Sequence, residues 1–144
     1  MIRKATPNDL IKIVDLGVEA LEKTGHKGFI IDREKITAIA RKCISSPSDF
    51  VWVSEIDKNI VAAVTVSVCP MTCYIHKQAS VVQFYSKKNG EGIKLIKQLI
   101  KWWESRPGLK TLVFTLECDV DERTVKLLKL LGFSFEFPVM SIMR

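Results

Sequence analysis

No stretch of this sequence is apolar enough to cross a bilayer. The most apolar run, residues 60–68, is broken by Thr65 and Ser67 and falls far short of the ~20 residues a membrane helix needs. The opening MIRKATPND has no apolar signal core, so the chain is expected to remain cytoplasmic. Cysteine is scarce: only Cys43, Cys69, Cys73 and Cys118 occur, and without an export signal reduced thiols are expected rather than disulfides. Cys69, Cys73 and His76 match no zinc-knuckle spacing and are interrupted by Pro70, so no metal site is expected and the thiols read as small hydrophobes. Low-complexity tracts and internal repeats are missing, which excludes a disordered or solenoid architecture. Neither a G-x-x-x-x-G-K-[ST] loop nor a correctly placed G-x-G-x-x-G occurs, so P-loop and dinucleotide-fingerprint chemistry are set aside.

What is present is the composition of one globular domain spanning residues 1–144. Hydrophobic residues make up 47% and charged residues 26%, enough for a core without staples. The net charge of +6 favours anionic partners such as a polyphosphate cofactor, nucleic acid or an acidic surface. The lysines lie along helical stretches without the interleaved aromatics of a single-strand platform, so nucleic acid is not the expected partner.

Residues 2–5 read as a short strand. Thr6 caps a helix, with Pro7 at its first position and Asp9 three residues after the cap. Leu10, Ile13, Val14, Leu16, Val18 and Leu21 carry its apolar face to about Lys23. Asp32 caps a second helix with a stripe of Ile36, Ile39, Ala40 and Cys43. Residues 50–55 and 60–68 form a hairpin around the turn residues 57–59. Residues 76–85 form a further strand, and a helix begins near Gly92 with Ile93, Ile96, Ile100 and Trp103 on its face. A strand at 110–117, a short helix capped by Asp121 and ended by Gly132, and extended residues at 133–137 and 139–143 complete the order, a mixed α/β layer.

The loop SKKNGEG between the fourth strand and the third helix carries the most chemistry. A helix start offers backbone N–H groups without internal partners and the positive end of the helix dipole. Gly90 and Gly92 leave the backbone open to close approach, and Lys87, Lys88 and Lys94 surround it with positive charge. Asn89-Gly90 is also a strong turn signal by itself. Local sequence therefore leaves two readings, an anion cradle or a tight turn.

The order of elements, with this loop in this place, resembles the GNAT superfamily of acyl-coenzyme A N-acyltransferases. The similarity covers nearly the whole chain, from IRKATPNDL through FVWVSEIDKNIVAAVTV and the glycine loop to VKLLKLLGFSFE. It implies an α/β (α+β) fold with a mixed, mostly antiparallel central sheet of six or seven strands, flanked by four helices and splayed between the fourth and fifth strands. It further implies acetyl-coenzyme A, or another acyl-coenzyme A, as cofactor. A Q/R-x-x-G-x-G/A loop in such proteins grips the pyrophosphate through its amides. Here Asn89 takes the Gln/Arg place, Gly92 the first glycine and Lys94 the final Gly/Ala place, with Gly90 as a common additional glycine. The implied cofactor contacts are Lys88, Asn89, Gly90, Glu91, Gly92, Ile93 and Lys94, with the backbone near Phe84 orienting the thioester carbonyl. In the last helix of the family, N-x-x-A-x-x-L-Y, Asp121 takes the Asn place and Thr124 the Ala place, and both are implied cofactor contacts. Leu128 stands where a tyrosine commonly protonates the leaving thiolate. Similar short proteins with Leu-Lys before the glycine occur among tailed-phage relatives, some of them not evident enzymes, which sets a structural or host-interaction role beside acyltransfer.

Acyltransfer to an amine needs a proton acceptor and a proton donor, each contributing about 10²–10⁴-fold when positioned. Many members place a glutamate on the fourth strand, and none lies between Gln78 and Ser86. Glu117, at the end of the fifth strand, is the first candidate base, against a plain solvated carboxylate. Tyr85 is the candidate proton donor, against a half-buried packing residue. His76, His26 and Cys118 have suitable chemistry but read more simply as loop residues and a buried thiol. The acceptor is an amine of a small molecule or protein that residues 18–47 do not identify, and exposed strand edges allow a homodimer.

Overall fold

The computed structural model describes residues 1–25, 27–115 and 122–134. β1 (Ile2–Lys4) leads through a single 3-10 turn (Pro7–Asp9) into α1 (Leu10–Thr24) and α2 (Arg33–Ser45). β2 (Asp49–Ile56), β3 (Asn59–Pro70) and β4 (Lys77–Ser86) follow, then α3 (Glu91–Glu104), β5 (Leu109–Phe114) and α4 (Glu122–Leu130). The expected first helix is thus split, because Asp9 turns its side chain back to the N–H of Thr6 at 2.8 Å and closes a tighter turn first. Asp32 caps α2 as its sequence position implies, accepting the N–H of Lys35 at 3.0 Å.

The strands form one sheet in the order β1-β2-β3-β4-β5. The first three pairings are antiparallel. β4 and β5 are parallel, with α3 as their crossover, since parallel neighbours require a long connection and a helix supplies it. The expectation of six or seven strands is not met: the described residues hold five. β5 ends at Phe114, short of 117, and Phe133 and Ser134 are not in a strand. The rest of the two extended segments, residues 135–144, lies outside the described residues.

The hairpin between β2 and β3 turns at Asp57 and Lys58, both in the left-handed region with φ of 50° and 63°. That pair of dihedrals matches the right-handed twist of the flanking strands. Alternation along the strands then loads two cores. Val51, Val53 and Ala63 face α1 and α2, meeting Ile13, Val14, Leu16 and Cys43. Trp52, Ala62, Val64, Val66 and Val81 face α3, meeting Leu95 and Leu99. Burial raises the Cys43 thiol above its ordinary value, with Asp49 adding to the shift, so this cysteine is an inert core residue. Among the described residues no helix is long and apolar enough to cross a membrane. No three His, Cys, Asp or Glu side chains among them gather as a metal-binding group.

Candidate functional site

Two local irregularities shape the C-terminal half of β4. Opposite β3, Thr65 pairs with Gln83 but Val66 pairs with Val81, so Val82 is an extra, bulged residue. On the other side, β5 pairs with β4 only as far as Val81 and Phe114. Residues 82–86 therefore have no β5 partner among the described residues, and this edge of β4 presents backbone groups without a neighbouring strand.

The loop after β4 is anchored at its base. The Val61 carbonyl of β3 accepts the N–H of Lys87 at 2.8 Å, one step past the last β3–β4 pair, Ala62 and Ser86. The Lys88 carbonyl accepts both the Ser86 hydroxyl at 2.9 Å and the Glu91 N–H at 3.2 Å. Past this point the donors run free. The first helical bond of α3 goes from the Lys94 N–H to the Gly90 carbonyl. The N–H groups of Asn89, Gly90, Gly92 and Ile93 find no acceptor among the described residues. They form a concentrated set of orphan donors at the positive end of a 14-residue helix, the arrangement that binds anions.

The two glycines do different jobs. Gly90 has a φ of 87° and open space around it, so its requirement is conformational. Gly92 has ordinary dihedral constraints but no room. A Cβ there would stand 2.8 Å from Cζ of Phe84 and 3.0 Å from Cβ of Ser86. Gly92 thus lets α3 lie directly on β4, and its lack of a side chain is used up by packing. Phe84 is itself held edge-on to Phe114, with ring centroids 5.5 Å apart.

Around the loop, Lys88 and Asn89 are exposed. Glu91 is 7% exposed and turns under the helix, where one carboxylate oxygen accepts the Ser54 hydroxyl of β2 at 2.5 Å. The other accepts the Lys94 ammonium at 2.6 Å. These two bonds, Lys94 foremost, lower the Glu91 pKa against the opposing effect of burial. Ile93 is half-buried, and Thr124 sits half-buried on α4. Glu117, Asp121, Cys118 and His26 lie outside the described residues. His76 is exposed.

Tyr85 faces the opposite side of the sheet from Phe84. Its hydroxyl accepts from the Lys23 ammonium at 2.9 Å and donates to Glu19 at 3.3 Å. Glu19 also accepts from Lys23 at 2.8 Å and pairs with Lys87. Lys23 first, then Lys87, pull the Glu19 carboxyl down to about 2, so it is ionised at neutral pH and too weak a base to take a proton there. Sequence inspection did not single out Glu19, Lys23 or Ser54. The i,i+4 spacing of Glu19 and Lys23 was a visible signal, but their meeting with Tyr85 depends on how α1 lies across β4.

No protein-family model matches the chain, and no curated protein matches it by sequence. Its fold, however, is shared with acetyltransferase structures over the full length. A predicted acetyltransferase with acetyl-CoA from Clostridium acetobutylicum superposes with a TM-score of 0.81 at 14% identity, over 99% of this chain and 95% of that one. A transcriptional regulator from Bacillus halodurans C-125 gives 0.79 at 17% identity, over 100% and 99%. The aminoglycoside acetyltransferase meta-AAC0020 from an uncultured soil metagenomic sample, in complex with sisomicin, gives 0.71 at 20% identity, over 100% and 94%. At these identities the likeness establishes the shared mixed α+β fold alone.

Proposed function

We propose that this chain is a GNAT-type N-acyltransferase that moves an acyl group, acetyl in the simplest case, from coenzyme A to an amine of a small molecule or protein. The observation that carries this reading is the row of free N–H groups opening α3, placed beside the stretch of β4 that β5 does not cover. The donor set suits a pyrophosphate. It combines four amides without acceptors among the described residues, the exposed ammonium groups of Lys88 and Lys94, and a glutamate, Glu91, that is turned inward onto Ser54 rather than toward the loop.

Asn89, Gly90, Gly92 and Ile93 would hold the phosphates through their amides, with Lys88 and Lys94 adding charge-assisted contacts. Coenzyme A, when bound, supplies the acyl group as an activated thioester. Backbone N–H groups near Phe84, on the stretch of β4 that has no β5 partner among the described residues, would orient the thioester carbonyl, where fixed donors act without reorganisation. Tyr85 is the proposed proton donor, its hydroxyl held by Lys23 and Glu19. Glu117 is the proposed base, and Asp121 and Thr124 are proposed cofactor contacts on the last helix. Titration calorimetry with acetyl-coenzyme A tests the assignment. Saturable binding in the micromolar range is the expected result, and no heat at millimolar cofactor would sink it.

Leu128 favours a second reading. It stands at the place of the usual proton-donating tyrosine and is 4% exposed, a core residue without a titratable group. A chain that kept the cradle but lost turnover would serve as a binding, structural or host-interaction component. Release of free thiol from acetyl-coenzyme A in the presence of a panel of amines, abolished by Gly92→Glu, is the outcome that excludes this reading.

A further inference from the structure

We infer that the niche between α1 and β4 seats the amino group of the acceptor in its uncharged form, with Gln83 and Thr65 as the residues that orient it. This role rests on the acyltransferase reading above. It narrows the acceptor to an amine that is neutral when it enters and carries no second substituent on nitrogen.

Alternation along β4 sets the geometry. Phe84 turns to Gly92 of α3, while Gln83 and Tyr85, on either side of it, turn to Gly17 and Lys23 of α1. This is the stretch of β4 without a β5 partner among the described residues, where the thioester carbonyl is proposed to lie. Beside it, Gly17, Thr65, Gln83 and Tyr85 line a niche of ≈ 10 Å³ with apolar walls from Ile13 and Ala63, room for about one water-sized group. Thr65 is 6% exposed, and no hydrogen bond among the described residues engages its hydroxyl or the Gln83 carboxamide. A buried polar group without a partner is costly, so the pair calls for an occupant that hydrogen-bonds. Gly17 leaves the carboxamide its place. A Cβ there would stand 3.1 Å from Gln83 Nε2, and the interior of α1 forgoes alanine's helix preference to avoid it.

An uncharged primary amine offers two N–H donors and one lone pair. Gln83 Oε1 and Thr65 Oγ1 are acceptors for the two donors, which leaves the lone pair free to attack. An ammonium has no lone pair, and the Tyr85 end of the niche is already net positive. Lys23 and Lys87 stand there against one carboxylate, Glu19, which those two partners hold at about 2, too low to take the ammonium's proton. The apolar walls add a desolvation cost to any charge, and an N-methyl group exceeds the space.

Three probes test this by NMR on the intact chain. Methoxyamine and N,O-dimethylhydroxylamine are both uncharged at neutral pH, and ethylamine is protonated there. The Gln83 side-chain amide and the Thr65 methyl are the reporters, whichever a variant retains. Methoxyamine is expected to shift both saturably, and the other two probes to bind about tenfold more weakly or not at all. Thr65→Val, near in shape, is expected to weaken methoxyamine about fivefold, the size of one hydrogen bond, and Gly17→Ala to abolish its binding. Gln83→Glu is expected to reverse the preference toward ethylamine, which a mere packing role for Gln83 does not produce. All three variants are expected to bind acetyl-coenzyme A as the wild type does. Reporters unmoved by methoxyamine in a chain that binds acetyl-coenzyme A would overturn the seat and leave the cofactor reading standing. Equal binding of ethylamine or N,O-dimethylhydroxylamine would overturn it too, as would a Gln83→Glu variant with unchanged preference. A chain that bound methoxyamine at these residues but no acetyl-coenzyme A would end the acyltransferase reading, and the acceptor role of the niche with it.

Discussion

Gly92→Ala is expected to destabilise the protein by about 1–3 kcal/mol, the usual cost of forcing an extra carbon into a packed contact. Helix propensity alone predicts the opposite sign, because alanine is favoured over glycine inside a helix by up to ~1 kcal/mol. The contact decides. A Cβ at 2.8 Å from Phe84 Cζ and 3.0 Å from Ser86 Cβ has to displace something. The ring tip of Phe84 can yield only by disturbing its edge-on contact with Phe114, and Ser86 Cβ is fixed to the strand. The relief of strain is therefore a lift of the α3 N-terminus away from β4. That movement takes the amides of Gly92 and Ile93 with it, so affinity for the proposed cofactor is expected to fall together with stability. Urea denaturation of Gly92→Ala, Phe84→Leu and the double variant measures the effect. A shorter side chain at 84 makes room for the new methyl, so the double variant is expected to be more stable than the sum of the two singles by about 1 kcal/mol. A Gly92→Ala midpoint equal to or above wild type would show that α3 does not sit as tightly on β4 as the structure has it. Gly90→Ala separates the second glycine. Nothing stands within 4 Å of its added Cβ, so its cost comes from the φ of 87° alone and is not relieved by Phe84→Leu.

Asp9→Asn is expected to cost about 2–3 kcal/mol at neutral pH, and the loss is expected to disappear in acid. Asp9 is buried and binds the Arg3 guanidinium through two parallel bonds of 2.7 and 2.9 Å. It also receives the Thr6 N–H at 2.8 Å and hydroxyl at 2.9 Å. Arg3 reaches Glu55 on β2 as well, so the cluster ties the first strand, the 3-10 turn and the hairpin together. Removing one member leaves charge-assisted donors unmet in a half-dry site. The Arg3 bond is the largest cause holding the Asp9 carboxyl well below the usual carboxylate range. The Thr6 contacts add to the effect and burial opposes it. Because the folded-state pKa is depressed, the contribution is fully present above the unfolded value of about 3.9. It is lost progressively as pH falls below that value toward the folded one. The gap between wild type and Asp9→Asn in urea midpoint is therefore expected to be constant from pH 7 to 5 and to narrow steadily from pH 4 to 2. A gap that stayed constant to pH 2 would mean that the carboxylate is not coupled to Arg3 as drawn.

Local chemistry wrote much of this fold into the sequence. Asp32 capping α2, the reversal at Asp57 and Lys58, and Gly132 closing α4 with a φ of 98° while the Phe133 N–H returns to the Leu128 carbonyl each involve groups within a few residues. Their physics needs no distant partner. The periodicity of Ile93, Ile96, Ile100 and Trp103 likewise announced a packed helix: Ile96 is fully buried and the other three are half-buried. The strand–glycine loop–helix unit was legible for the same reason, down to the free donors at its tip.

What the sequence left undecided turned on which face a side chain takes and what waits there. Tyr85 and Phe84 are neighbours in the chain, yet one meets Glu19 and Lys23 on α1 while the other braces Gly92 on α3. Glu91 looked like part of the anion loop and is instead drawn under the helix by Ser54, 37 residues away. Gly92 looked like an opening for a ligand and is a packing contact. Residue types and spacing fix which groups are available, because capping, turns and periodicity act over a few residues. The direction of each group, and so its chemistry, was decided only when the sheet brought β2, β4 and α3 within contact distance.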